Sequence, residues 1–266
     1  MSKLTLSEIW IYPIKSLGGI RMTSSKVLPK GLLYDRRWML IDESGTFITQ
    51  RLHSKLAFFR LSLTGEEFAI SFNKEQIHLR VDAPISTIPV SATIWDDTVE
   101  VFEVLGDYSE WFSLRLGVTC RLVYFPETNL RPVDEKYSIE NDQVSLADGY
   151  PFLIVGQSSL DDLNMRLETP IPMNRFRPNF VFTGGKPYEE DNWRNFTIRE
   201  SRFIGVKPCG RCLLITVNQE TAKRGTEPLA TLATYRKTNN KIHFGQNLLA
   251  LTCHEIYEGD SIQLVS

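Results

Sequence analysis

Short apolar runs, bounded by glycine, proline or polar turns, recur along most of this chain, which is the pattern of strands. Ser7–Ile14 is rich in Ile, Trp and Tyr and stops at Lys15-Ser16-Leu17-Gly18-Gly19. Trp38–Asp42, a turn at Glu43-Ser44-Gly45, and Thr46–Thr49 predict a β-hairpin. Phe58–Leu63 and Phe68–Phe72 flank Thr64-Gly65-Glu66 and predict a second. Val99–Val104 is a further strand, and Thr87–Val90 a weaker one that Pro89 confines to a sheet edge. Helical spacing is rarer. It covers Asp107–Leu116 with an Asp cap and a terminal Gly117, Ser158–Leu167 with a Ser-Ser cap, and Leu229–Arg236 after Glu227-Pro228. Leu248–Ile256 and Ser261–Val265 return to strand character, while the polar, aperiodic residues 126–147 predict a loop or domain junction. Many short strands with few helices predict a β-rich α+β, barrel-like fold, not an alternating βαβ sheet.

Composition narrows the function. The chain has 266 residues, 42% of them hydrophobic, enough for a sizeable core. Its 30 Lys and Arg nearly balance 32 Asp and Glu, so a general nucleic-acid or acidic-membrane binder is not expected, and any anion site must be local. No apolar run approaches the ~20 residues of a bilayer span, and Met1–Ser7 shows no secretion pattern. Four cysteines are too few for a disulfide scaffold, and a reducing cytoplasm is the simplest expected location. Neither a Gly-x-Gly-x-x-Gly turn nor a Walker-type loop is present.

The strongest chemical candidate is Lys207-Pro-Cys209-Gly210-Arg211-Cys212, read as a loop leading into an apolar strand, Leu-Leu-Ile-Thr-Val. An arginine between two thiols favours a thiolate, which is both a nucleophile and a metal ligand. A zinc half-site and a pair of ordinary buried thiols are the alternatives. Against zinc, the nearest further ligand types, Cys253 and His254, lack a second paired spacing. Cations also recur in loops, at Lys15-Ser16, Asp35-Arg36-Arg37-Trp38 and Asn174-Arg175-Phe176-Arg177-Pro178-Asn179. Singly these are solvated loop charges. Together with Arg211 they would make a pocket for a phosphate-bearing ligand, since the planar guanidinium grips phosphate oxygens in pairs.

These same stretches carry a resemblance. Tyr12-Pro-Ile-Lys-Ser16, Asp35-Arg-Arg-Trp38, Gly149-Tyr-Pro-Phe152, Phe176-Arg-Pro-Asn179, Cys209-Gly-Arg-Cys212, Glu227-Pro-Leu229 and Phe244-Gly-Gln246 stand in the order found in the MOSC-domain family. Within that family the chain resembles the amidoxime-reducing components and their bacterial relatives, in the form without a fused ferredoxin domain. The resemblance implies a MOSC β-barrel over residues 123–266 and an N-terminal MOSC-type α/β module over 1–122, with residues 1–36 packing onto the barrel. It implies a molybdenum cofactor, Mo-molybdopterin, with Cys212 ligating the metal. Lys15, Ser16, Arg36, Tyr150, Arg177, Asn179, Gly210, Arg211 and Asn247 would contact the cofactor. The implied activity is reduction of small N-hydroxylated compounds (amidoximes, hydroxylamines, hydroxylated nucleobases). Electrons would come from a separate flavin, haem or iron–sulfur protein, because the chain carries no signature of those centres. Other MOSC domains serve cofactor sulfuration, so a cofactor or sulfur carrier is the alternative. Departures from the family include Gly149-Tyr150, where relatives have small hydroxyl residues, and Asn247, where some have tyrosine.

Overall fold

The computed structural model describes residues 3–265 and is strand-rich with three α-helices. Its largest sheet contains nine strands. From one edge they run Ile262–Val265, Asn195–Ile198, Ser201–Arg211, Lys241–Ala250, Phe152–Gly156, Phe180–Thr183, Thr5–Ile11 and Ile20–Met22, with Lys237–Thr238 pairing alongside Lys241–Ala250. Pairing is antiparallel except between Phe152–Gly156 and Phe180–Thr183. The helix Gln157–Asn164 lies in the crossover between those two, as a parallel pair requires.

The apolar pattern explains this position at the centre. Phe152–Gly156 is buried at every residue. Phe152 and Ile154 enter the main core with Phe180, Phe182, Phe203 and Leu248. Leu153 and Val155 face a second core with Val181, Phe176 and Phe244. Helix residues Leu160, Leu163 and Leu232 close that second core. A strand buried on both faces reads as a continuous run, not as an alternation.

The N-terminal half adds a four-stranded sheet, in the order Trp38–Ile41, Arg121–Tyr124, Asp97–Val104 and Ile85–Ile94, and a three-stranded one, Phe59–Thr64, Glu67–Phe72 and Glu75–Arg80. Ile85–Ile94 is an edge strand, and Pro89 is accommodated there. The two halves share one core, since Trp38, Phe59, Phe68 and Phe112 cluster with the barrel residues Phe180 and Phe203. The strand Thr5–Ile11 belongs to the large sheet through its pairing with Phe180–Thr183.

Several expectations need correction. Thr46–Thr49 is not the second arm of a regular hairpin. Its residues make single bridges, Phe47 to Ile41 and Thr46 to Thr93, because the segment is wedged between two strands. The Ser158-Ser159 pair does not cap its helix. Gly156 occupies the cap, and the Ser159 hydroxyl instead donates to buried Glu190. The cysteine motif ends a strand, Ser201–Arg211, and leads into a 3₁₀ turn, Leu213–Thr216. Ile215 and Thr216 are buried there while Leu213 points out, a burial pattern that a strand's strict alternation does not give.

Register shifts interrupt the pairing of Ser201–Arg211 with Lys241–Ala250 between Gly205 and Lys207 and between Pro208 and Gly210. Just before the first shift, Gly205 packs so closely on the preceding backbone that an added Cβ would lie 2.1 Å from the Trp193 carbonyl oxygen. Gly205→Ala is therefore expected to cost about 2–4 kcal/mol, read as a lower urea midpoint at unchanged m-value.

Candidate functional site

One cavity of about 1410 Å³ opens between the two halves, and all ten residues singled out from the sequence line it. Eight lysines and arginines face five carboxylates on its wall, so the cavity is locally positive in a chain of net charge −2. That imbalance is what an anionic ligand requires of an otherwise neutral protein.

The back of the cavity is built on Tyr12. Its buried ring lies between two guanidiniums, with Arg36 4.4 Å and Arg177 4.2 Å from the ring centroid. Its hydroxyl donates to the Pro178 carbonyl, and burial raises its pKa to about 12, so the ring stays neutral. Arg36 Nη1 donates to Asp35 at 2.6 Å and to Asn179 Oδ1 at 3.3 Å, while Arg177 Nη1 donates to the Leu17 carbonyl at 2.7 Å. Ser16, Arg36 and Arg177 all have left-handed backbones, with φ of 70°, 50° and 55°. Left-handed backbone is disfavoured at non-glycine residues, so the surrounding contacts hold these three in place. Asn179 bonds within the protein through both its amide oxygen and its amide nitrogen. Its Oδ1 also accepts from the Leu153 amide and its Nδ2 donates to the Trp10 carbonyl, so it positions Arg36.

Lys15 enters from the loop after the first strand. Its Nζ donates to Asp148 at 2.6 Å and to the Leu146 carbonyl at 2.7 Å. Burial pushes its pKa down to about 8, with the Asp148 carboxylate opposing the shift. For Asp148, desolvation works to raise the carboxyl pKa, but Lys15 and Arg51 outweigh it and hold the group well below the usual carboxylate range. The cavity thus loses one positive charge as pH rises through about 8, below the unfolded lysine value of 10.5. Sulfate, whose charge is constant over that range, is expected to bind up to about tenfold more weakly at pH 9 than at pH 7, measured by calorimetry. Lys15→Met should lack that step.

The facing wall carries the thiols. Arg211 Nη1 donates to Cys209 Sγ at 3.1 Å and Nη2 to the Phe176 carbonyl at 2.7 Å. Cys212 follows in extended backbone, exposed, at the start of the 3₁₀ turn. Three polar atoms of the lining, the Tyr150 hydroxyl, Arg51 Nε and Arg211 Nε, are buried without a protein partner. Such atoms are costly to leave unpaired, and a ligand can satisfy them. Gly210 has room for a side chain, since an added Cβ would meet only Lys241 at 3.7 Å. Asn247 Nδ2 donates to the Lys207 carbonyl at 3.3 Å.

Among the lining residues that sequence reasoning missed, Arg131, Asp148, Arg51 and Trp95 form one connected cluster. Arg131, from the aperiodic loop, is buried and donates to Asp97 and to the carbonyls of Ser145 and Ala147, fixing the segment that presents Asp148. Arg51 lies 3.6 Å over the Trp95 ring, and Trp95 Nε1 donates to Asp148. No local pattern marks these residues, because their partners are distant in sequence. Among the described residues no three His, Cys, Asp or Glu side chains form a metal-holding group.

Comparison with known proteins agrees with this layout. Residues 3–119 match the MOSC N-terminal beta barrel domain and residues 141–263 match the MOSC domain. Mouse mitochondrial amidoxime-reducing component 1 is 34% identical over 87% of this chain and 71% of its own length. The chain belongs to the MOSC-domain family. The human mitochondrial amidoxime-reducing component 1 is 31% identical over 98% of this chain and 83% of its own. A second MOSC branch is also similar, with the rice molybdenum cofactor sulfurase 29% identical over 98% of this chain. The chain spans about a third of that sulfurase, 34% of its length. No helix among the described residues is long and apolar enough to cross a membrane.

Proposed function

We propose that this MOSC protein holds a molybdenum cofactor and reduces small N-hydroxylated compounds such as amidoximes, hydroxylamines and hydroxylated nucleobases. Electrons come from a separate flavin, haem or iron–sulfur protein. The observation that supports this best is the pairing, in one cavity, of an exposed thiol at Cys212 with two guanidiniums clamped on Tyr12. A soft thiolate suits a metal with a sulfur-rich ligand set, and forked cations suit a phosphate tail. The unpartnered Arg211 Nε offers a further donor to the same ligand.

In this reading Cys212 ligates the metal, and Lys15, Ser16, Arg36, Arg177 and Arg211 hold the anionic end. When bound, the cofactor supplies two-electron chemistry at its metal. The net reaction takes two electrons and two protons at the N–O bond, leaving N–H and water. The chain's own part is positioning. Asn179 fixes Arg36, Arg131 fixes the Asp148 segment, and buried Gln50 donates to the Ser16 carbonyl at 2.7 Å. A reducing cytoplasm accords with four free cysteines.

The test is metal and pterin analysis after expression in a cofactor-producing host, with benzamidoxime reduction driven by reduced viologen. Near-stoichiometric molybdenum and turnover are expected. Zinc without pterin would sink the reading. The similarity to sulfurases favours a second one, a cofactor or sulfur carrier. A transferable persulfide on Cys212, with no turnover, would select it.

A further inference from the structure

We infer that Lys207, with Tyr137 and Tyr150, forms a subsite for the anionic group of a substrate, so that this protein favours N-hydroxylated compounds carrying a carboxylate or phosphate. The inference rests on the reductase reading and adds a specificity residue to it.

Lys207 differs from most of the cavity's cations in what holds it: Arg177 and Arg211 donate to the Leu17 and Phe176 carbonyls. Lys15, Arg36, Arg51 and Arg131 each have a carboxylate within ion-pair distance. No such pair involves Lys207 among the described residues. Its Nζ instead lies over two tyrosine rings, 4.1 Å from the Tyr137 centroid and 4.8 Å from that of Tyr150. The rings meet edge to face at 6.0 Å. Two aromatic faces hold an ammonium without neutralising it, so the charge stays available to a ligand. The hydroxyl of Tyr150 is buried and lacks a partner, and it lines the same wall. Asp134 and Glu135 also line this end, yet neither lies within ion-pair distance of Lys207. An ammonium and a free phenol hydroxyl together are a donor pair for a carboxylate or phosphate oxygen.

Position matches this role. Lys207 and Cys212 lie on one chain segment, mostly strand, and both face the cavity. Five residues of strand span at most about 16 Å between Cα atoms, which bounds the separation of the two backbone positions. In this proposal a substrate of aryl or nucleoside size lies between the two. One end would reach the thiol and the other the ammonium. The Lys207 carbonyl accepts from Asn247, which fixes the backbone but not the side chain.

The test compares benzamidoxime with 4-carboxybenzamidoxime, the same reacting group without and with an anion. In the holoenzyme, kcat/KM should favour the carboxylate about tenfold, carried by KM. Lys207→Met should erase that preference while leaving benzamidoxime turnover and molybdenum content unchanged. Lys207→Arg should retain it. Equal kcat/KM for the two compounds in the wild type, or a preference that survives Lys207→Met, overturns the subsite. So does loss of molybdenum in Lys207→Met, which would assign the lysine to the cofactor. Calorimetric binding of both compounds to each variant separates the two readings. If neither compound is reduced but the carboxylate binds more tightly through Lys207, the subsite stands and the reductase reading falls.

Discussion

Replacing Cys212 with serine is expected to lower N-hydroxyl reduction by about a thousandfold or more, to the background of the assay. The protein should remain folded, because Cys212 is exposed and no described hydrogen bond involves its thiol. Serine removes the sulfur and keeps the size, so far-UV circular dichroism and thermal midpoint should hardly move. The informative contrast is Cys209→Ser in the neighbouring position. The Cys209 sulfur already accepts a hydrogen bond from Arg211, and the residue sits within the strand. Its loss should perturb the orientation of Arg211 and cost activity by a smaller factor, while molybdenum is retained. Full activity in Cys212→Ser would end the ligand assignment. Equal, total loss of molybdenum in both variants would show that the motif acts as a unit.

How far the sequence could lead depended on the range of the interactions. The strands Phe59–Thr64 and Glu67–Phe72 were legible because their register follows from a local turn. The helix Tyr108–Leu116 was legible at its end, where Gly117 takes a left-handed φ of 76°, but Asp107 makes no side-chain cap. The segment Thr46–Thr49 misled because its partner on one side, Thr93, is remote in sequence. The 3₁₀ turn after Cys212 misled for a different reason. A short apolar run such as Leu213–Val217 carries no period that separates strand from turn, and tertiary burial of Ile215 decides it.

The site divided along the same line. Residues inside recognisable motifs, such as Arg36, Arg177 and Arg211, could be named in advance, and the fold brings them to one cavity. That Tyr12 is the slab between two of them could not be read, since the three come from separate loops. Nor could Asp148 be assigned, because its acidity is set by Lys15 and Arg51 across 133 and 97 positions of chain. Arg131 was hidden in a stretch whose polar composition resembles a solvated loop, although its side chain is buried.

Arg177→Met should separate stability from function in opposite directions. Arg177 is buried, donates to the Leu17 carbonyl, and has no carboxylate within ion-pair distance among the described residues. Burial lowers its pKa from 12.5 to about 10, with Arg36 adding to the shift and Tyr12 opposing it. A cation whose folded pKa lies below its unfolded value destabilises the fold wherever it is charged. That penalty is present in full below about pH 10 and fades as pH rises toward 12.5. Methionine keeps much of the stem and removes the charge, so the cofactor-free variant should be more stable than the parent by about 1–3 kcal/mol at pH 7. Cofactor retention should fall by about tenfold or more, since a forked donor to the anionic end is gone. Arg177→Lys should fall between, because an ammonium keeps the charge but loses the paired geometry. Urea denaturation of cofactor-free protein, beside molybdenum and pterin content of protein made in a cofactor-producing host, measures both quantities. A variant that loses stability and cofactor together would mean that Arg177 is a structural strut whose charge the fold needs. A gain in stability with loss of cofactor would mean that the fold carries this cation at a cost, for the ligand it holds.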